Sequence, residues 1–212
     1  MTLFELDFHV RVKDNQEVKV NFIRGTLPAA LLVAAACSSA AAAPASSCPA
    51  AGGAPEEGDG GPLTEFVAYE SSFTGFQSWS TAPATAENDA GDGLHGVGPL
   101  EVYWNQAPPH GSTSFPVGTI IVKETEGTDP TQRVVFAMVK RGDGYNATGA
   151  NGWEWFSLQN NDDCTVTILW RGLVAPPGQT YANQAIGDCN GCHGLASSND
   201  YVWDSALLLS NF

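Results

Sequence analysis

The sequence predicts an α+β fold that is mainly β, in which a curved or barrel-like antiparallel sheet has helices at its flanks. Three observations lead to this expectation: short β-branched and aromatic runs, turn residues between them, and the lack of any repeat or long helical period. These features are typical of a sheet-dominated domain. The runs are LEVYW (100–104), VGTIIVKE (117–124), RVVFAMVKR (133–141), WEWFSL (153–158) and CTVTILW (164–170).

Two segments predict helices near the ends of this sheet. In ESSFTGFQSWS (70–80), Phe73, Phe76 and either Gln77 or Trp79 recur at three- and four-residue spacing, so a short amphipathic helix is expected. A second helix is expected to carry the cysteine-rich stretch DCNGCHG, close to the C-terminal end of the sequence.

The first part of the chain is not expected to belong to the folded body. Residues 1–37 are interpreted as an acidic extension followed by a secretory signal, whose apolar run from Leu27 to Ala36 is too short to span a bilayer. The VAAAC stretch ending at Cys37 resembles a bacterial lipoprotein box, so a lipid anchor at Cys37 and simple cleavage both remain open. We therefore expect export to the periplasm or to the outer membrane of a bacterium.

Residues 38–62 are rich in Ala, Gly, Pro and Ser and predict a flexible tether. The folded domain is expected to span 63–212. The formal net charge of −14 argues against a nucleic-acid partner, because phosphate binding requires clustered Lys and Arg side chains. An acidic surface would suit a basic redox protein partner, although it also serves solubility alone.

The stretch Cys189-x-x-Cys192-His193 has three interpretations. A zinc site needs four ligands, and the remaining candidates Cys164, His95 and His110 are scattered along the chain. A thioredoxin-like dithiol should open a helix within a βαβ unit, which an antiparallel chain does not provide.

A haem anchor fits better, because Cys189 and Cys192 can form two thioethers while His193 binds the iron. We therefore predict one covalently attached haem c. No Met and no His follows His193, and Met138, the one Met after Met1, is interpreted as a core residue. The distal position on the iron is accordingly expected to be open, which favours small-ligand binding or chemistry over electron transfer alone.

Three cysteines lie outside this motif: Cys37, Cys48 and Cys164. If Cys37 is lipidated or removed, Cys48 and Cys164 could pair in an oxidising compartment. The other interpretation of Cys164 is a buried strand residue.

Six blocks in order resemble the cytochrome P-460 family, which includes the cytochrome c′-beta proteins. They are FTGFQSWS, LHG…EVYWN, FPVGTIIVKE, VVFAMVKRGDGYN, GWEWFSL and CNGCHG…NDYVW, and together they cover about residues 63 to 205. The long acidic tether, an HGSTS insertion before Phe115, and Cys164 depart from the family pattern.

The resemblance implies a mainly β monohaem cytochrome, commonly a homodimer, with five-coordinate haem. In the P-460 branch a lysine is bonded to the porphyrin edge and the protein oxidises hydroxylamine. In the c′-beta branch that bond is absent and nitric oxide or carbon monoxide binds in a phenylalanine-capped pocket. Lys123 stands at the position of the family lysine, and strand alternation places it on one face with Thr119 and Ile121. Lys140 is the rival.

A carboxylate above the iron would serve as base in hydroxylamine oxidation, and Glu154 and Asp143 are the candidates. The candidate caps are Phe73, Phe76 and Phe115. We expect Trp153, Trp155 and Phe156 to wall the haem or to fill the core, and His95 to be structural, with a haem propionate as a candidate partner. Two functions stay open, an oxidoreductase acting on hydroxylamine or a related nitrogen species and a non-catalytic nitric oxide binder; a plain electron carrier is disfavoured.

Overall fold

The computed structural model describes residues 63–83, 100–125, 134–142, 144–179 and 188–212. The chain divides into two units, Met1–Ala43 and Pro44–Phe212, and every described residue belongs to the second. The predictions for the signal, the lipid anchor and the tether, and those for Cys48, His95 and Asp143, lie outside the described residues.

The described part of the chain contains a six-stranded antiparallel sheet in which each strand pairs with its neighbours in sequence. The sheet order is β1 to β6 without crossovers, so β1 and β6 form its two edges. A mainly β antiparallel fold is therefore confirmed, but the sheet is open and the barrel-like alternative is wrong. The strands are β1 Ser80–Pro83, β2 Leu100–Trp104, β3 Ile120–Thr125, β4 Val135–Lys140, β5 Trp153–Asn160 and β6 Val166–Gly172.

The helix predicted over 70–80 is replaced by two 3₁₀ turns, Glu70–Phe73 and Phe76–Ser78. Gly75 separates them with a left-handed φ of 68°, which an α-helix cannot continue through. Phe73 ends the first turn and Phe76 begins the second, and both rings are fully buried.

The second predicted helix is present as α1, Cys189–Gly194. Asp188 caps its N-terminus, because the side-chain Oδ1 accepts a hydrogen bond from Asn190 N at 2.9 Å. Three further 3₁₀ turns follow at Ser197–Asn199, Ser205–Leu207 and Leu209–Asn211. Within the described ranges, no helix has the length and apolar character needed to cross a membrane.

Alternation along the strands gives the sheet two different faces. The back face carries Val122, Val139 and Phe156, which pack against Phe73 and Phe76 from the N-terminal turns. The front face is covered by the C-terminal segment after Asp188, and two cross-strand rows define it. One row is Val102, Lys123, Phe136, Ser157 and Trp170, and the other is Trp104, Ile121, Met138, Trp155 and Gly172.

Candidate functional site

The front face and the C-terminal segment enclose a cavity. Lys123 from β3 lines it together with Cys189, Cys192 and His193 from α1. Its remaining walls are mainly apolar and include Ile121, Phe136, Met138, Trp155 and Trp170. The cavity is open to solvent at its mouth and has a volume of about 100 Å³.

Asn190, between the two cysteines, fixes α1 against the sheet. Its Oδ1 accepts three hydrogen bonds, from Asn146 Nδ2 at 2.7 Å, Trp155 Nε1 at 3.0 Å and Ala150 N at 3.1 Å. Its Nδ2 donates to Leu173 O at 3.0 Å. One amide side chain therefore joins α1 to β5, to the loop before β5 and to the segment after β6.

This approach is so close that it requires a glycine opposite Asn190. A Cβ at Gly149 would lie 2.5 Å from Asn190 Cγ and 2.5 Å from Asn146 Oδ1, which are forbidden distances. The absence of a side chain at Gly149, in the loop before β5, therefore makes room for the Asn190 side chain at the first variable position of the cysteine motif.

A hydrogen bond to a backbone carbonyl fixes the tautomer of His193. Its Nδ1 lies 2.7 Å from Tyr201 O, and a carbonyl oxygen can only accept, so Nδ1 carries the proton and donates. Nε2 then keeps its lone pair, which is the arrangement of a metal-binding histidine oriented by a backbone carbonyl. The Trp155 ring supports the imidazole, with centroids 4.6 Å apart.

Cys189 and Cys192 are not in a disulfide and lie one helical turn apart, so they share one face of α1. Burial, together with the Asp188 charge, raises the pKa of Cys189 to about 12. Catalytic dithiols depend on the opposite shift, a lowered pKa that supplies thiolate, so this environment disfavours the dithiol interpretation. As for zinc, no group of three or more His, Cys, Asp or Glu side chains in the described segments is arranged to hold a metal ion.

Asp204 is a cavity carboxylate that the sequence did not reveal. It is 7% exposed and caps the Ser205–Leu207 turn, with Ala206 N donating to its Oδ1 at 2.8 Å. Burial raises its pKa, while the Ala206 hydrogen bond and the positive charge of Lys123 oppose the rise. An amine and a carboxylate therefore act on each other in the same cavity as the cysteine motif.

Glu154, one of the carboxylates predicted to lie above the iron, is on the back face and does not line this cavity. Arg171 binds it in a bidentate manner, with Nε at 2.8 Å and Nη2 at 2.7 Å, and Arg141 Nη1 adds a contact at 3.2 Å. Alternation explains the placement, because Trp155 next to it faces the front. Asp143, the other candidate, lies outside the described residues.

Lys140, the rival of Lys123, also lies outside the cavity lining. Its Nζ pairs with Asp200 Oδ1 at 2.7 Å and stands 5.0 Å from the centroid of the Trp153 ring. The two strand lysines therefore have different surroundings. Lys123 lines the cavity, whereas Lys140 forms an ion pair with Asp200 outside the cavity lining.

The aromatic candidates divide between the two faces. Phe73 and Phe76 belong to the back-face core and do not line the cavity. Phe115 packs in the front-face core with Trp153, at 6.0 Å between centroids, and does not line the cavity either. Trp155 and Met138 contribute both to that core and to the cavity wall.

Cys164 is disulfide-bonded, and its partner is not among the described residues. It stands in the turn between β5 and β6 with a left-handed φ of 66°, so the interpretation as a buried strand residue is wrong.

A scan against protein-family models finds no match, and searches of curated proteins and of solved structures find no significant match either.

Proposed function

We propose that the protein is an exported c-type monohaem cytochrome of the P-460 type, which oxidises hydroxylamine or a related small nitrogen species. The observation that carries the proposal is the meeting of Lys123 with Cys189, Cys192 and His193 around one cavity. Lys123 is distant in sequence from the cysteine motif, and both line the same cavity.

The residues fit a covalent haem. Cys189 and Cys192 would hold it through thioethers, and His193 Nε2 would be the axial ligand because Nδ1 is engaged by Tyr201 O. The haem would supply a redox-active iron with a vacant position for the substrate. The apolar walls around it would limit the access of water.

The chain's own residues can manage the protons of such a reaction. Oxidation of hydroxylamine releases protons, and an acceptor in the cavity accelerates their removal. Asp204 takes this role in the proposal in place of Glu154, because its carboxylate lies in the cavity and its raised pKa makes it a stronger proton acceptor than an exposed Asp. Lys123 is the proposed site of the family's bond to the porphyrin edge.

The second candidate function is non-catalytic binding of nitric oxide. It is favoured by the hydrophobic side chains of the front face, Ile121, Phe136, Met138 and Trp155, which suit a small neutral diatomic ligand. The two candidates share the haem and differ in whether Lys123 is bonded to it. Export, a homodimeric state and an acidic docking face for a redox protein belong to the proposal under both functions.

Haem attachment is tested by comparing the wild-type protein with Cys189→Ala, Cys192→Ala and the double variant, each produced with export and haem-attachment machinery. We expect stoichiometric haem that stays bound on a denaturing gel for the wild type, weakened attachment in each single variant, and none in the double variant. Cys164→Ser is the matched control and should keep its haem. Wild-type protein without covalent haem, or with stoichiometric zinc, would overturn the proposal.

The absorption spectrum of the ferrous protein separates the two functions. A strongly red-shifted Soret band is expected for a macrocycle bonded to Lys123, and an ordinary high-spin c-type spectrum for the nitric oxide binder. Hydroxylamine turnover with an artificial electron acceptor should follow the first spectrum and be absent with the second.

A further inference from the structure

The segment that follows α1 contains a strained turn. Asp200 and Tyr201 are consecutive and both have positive φ, 50° and 66°. Residues with a Cβ rarely adopt this left-handed conformation, and it persists only where surrounding contacts hold it. The turn matters for the site because the Tyr201 carbonyl oxygen is the acceptor for His193 Nδ1.

Asp200 is held by three separate elements. Its Oδ1 accepts from Lys140 Nζ at 2.7 Å, and its Oδ2 accepts from Phe115 N at 2.8 Å. Its backbone oxygen accepts from Trp153 Nε1 at 2.8 Å. The contacts come from β4, from the loop before β3 and from β5, so the turn is fixed to the sheet from several directions.

Lys140 is equally committed to this contact. Its side chain is 11% exposed and that of Asp200 is 9% exposed, so the pair is largely shielded from water. Lys140 Nζ also donates to Asn151 O at 3.2 Å. A buried ammonium with a carboxylate, a carbonyl and an indole ring around it has little freedom to move.

We propose that the Lys140–Asp200 ion pair is a positioning device for His193: it holds the strained turn so that the Tyr201 carbonyl accepts from Nδ1 and sets the orientation and donor strength of the imidazole. The inference rests on the proposed function in one respect, namely that His193 Nε2 binds haem iron. A stronger hydrogen bond at Nδ1 makes the imidazole a stronger donor to a metal. Loss of the clamp should therefore weaken the bond between iron and histidine.

The iron–histidine stretching band in the resonance Raman spectrum of the five-coordinate ferrous protein measures this bond directly. We expect Lys140→Met and Asp200→Asn to move the band to lower frequency. Asp200→Asn is the milder change, because Asn tolerates the left-handed conformation and its side-chain oxygen can still accept from Phe115 N. It keeps the test available if Lys140→Met does not fold.

Two further variants separate positioning from general destabilisation. Arg171→Met breaks a partly buried ion pair on the back face and should leave the band in place although it also lowers stability. The double variant Lys140→Met/Asp200→Asn removes both charges and so relieves the cost of an unpaired buried charge. Its band should stay at the lowered frequency, since the clamp is absent.

An unchanged band in folded, haem-loaded Asp200→Asn and Lys140→Met would overturn the inference, and so would a band restored to the wild-type frequency in the double variant. If the wild type carries no haem, the proposed function fails and the inference is read instead from the ring-nitrogen NMR shifts of His193. They should then report a single tautomer protonated at Nδ1 in the wild type and a mixture in the variants, whereas one tautomer throughout would refute the clamp.

Discussion

The two faces of one sheet differ in what their side chains do. The back face packs Phe73, Phe76 and Phe156 without exposure to solvent, and its charged groups at Glu154 are satisfied by two arginines. The front face, built from the alternate residues of the same strands, leaves a cavity with an amine, two carboxylates, two thiols and an imidazole around it. Both sides of the sheet carry packed apolar residues, but the candidate site lies on one side only.

The largest effect on stability is expected from Glu154→Gln on the back face. It removes the charge that binds Arg141 and Arg171, and hydrogen bonds to charged groups contribute about 1.5–3 kcal/mol each, so we expect about 2–3 kcal/mol lower free energy of unfolding. Urea denaturation measures the loss. The ferrous spectrum should be unchanged; a changed spectrum with intact stability would contradict the division between the faces.

A smaller effect on stability is expected from Lys123→Leu on the front face. It should lower the free energy of unfolding by less than about 1 kcal/mol, because a half-buried apolar side chain replaces an amine at a cavity wall. Its main effect should be functional. If the wild type has the red-shifted Soret band, the variant should show an ordinary c-type spectrum and no hydroxylamine oxidation, while it keeps covalent haem and binds nitric oxide. Arg171→Met on the back face is the control and should retain the red-shifted band; Lys140→Met should retain it too, although its iron–histidine band is expected to move.

The smallest effect should come from Asp204→Asn and should depend on pH. Folding raises the pKa of Asp204, so the folded state binds its proton more tightly than the unfolded state, and ionisation of this group destabilises the fold. That penalty is absent below the ordinary value of 3.8 and appears as the pH rises toward the folded pKa. Asn keeps the cap of the Ser205–Leu207 turn.

Denaturation midpoints of the haem-loaded wild type and Asp204→Asn should accordingly converge in acid and separate toward neutral pH, with the variant gaining. If the difference between the two denaturation midpoints were the same at every pH, folding would not raise the pKa of Asp204 and the prediction would be wrong.

The sequence predicts the sheet better than the site, for a physical reason. β-branched and aromatic runs bounded by turn residues locate β2 to β6, and alternation along β3 correctly puts Lys123 and Ile121 on one face. β1 is missed because it is a short edge strand ending at Pro83, which has almost no local signal. Gly75 limits the N-terminal helix to 3₁₀ turns, an effect that spacing alone does not register.

The missed site residues depend on contacts far apart in the chain. Asn190 occupies a variable position of the cysteine motif, and its partners Asn146 and Ala150 are 44 and 40 residues away. In the sequence Asp204 resembles an ordinary exposed cap of a turn, and only the packing of the C-terminal segment on the front face buries it. Strand alternation could have placed Glu154 correctly, because its neighbours Trp153 and Trp155 both lie on the front face and Glu154 must then lie on the back face.

The meander order of the strands has a consequence for folding. Every described strand pairs with its neighbours in sequence, so the sheet forms from pairings between consecutive strands, which favour more rapid folding than pairings between strands far apart in the chain. We expect the contacts between the sheet and the C-terminal segment to form last, because contacts such as Phe115 N to Asp200 Oδ2 span 85 residues. Mild denaturant should therefore release the C-terminal segment while the strands remain paired, and amide protons of α1 should exchange before those of β4.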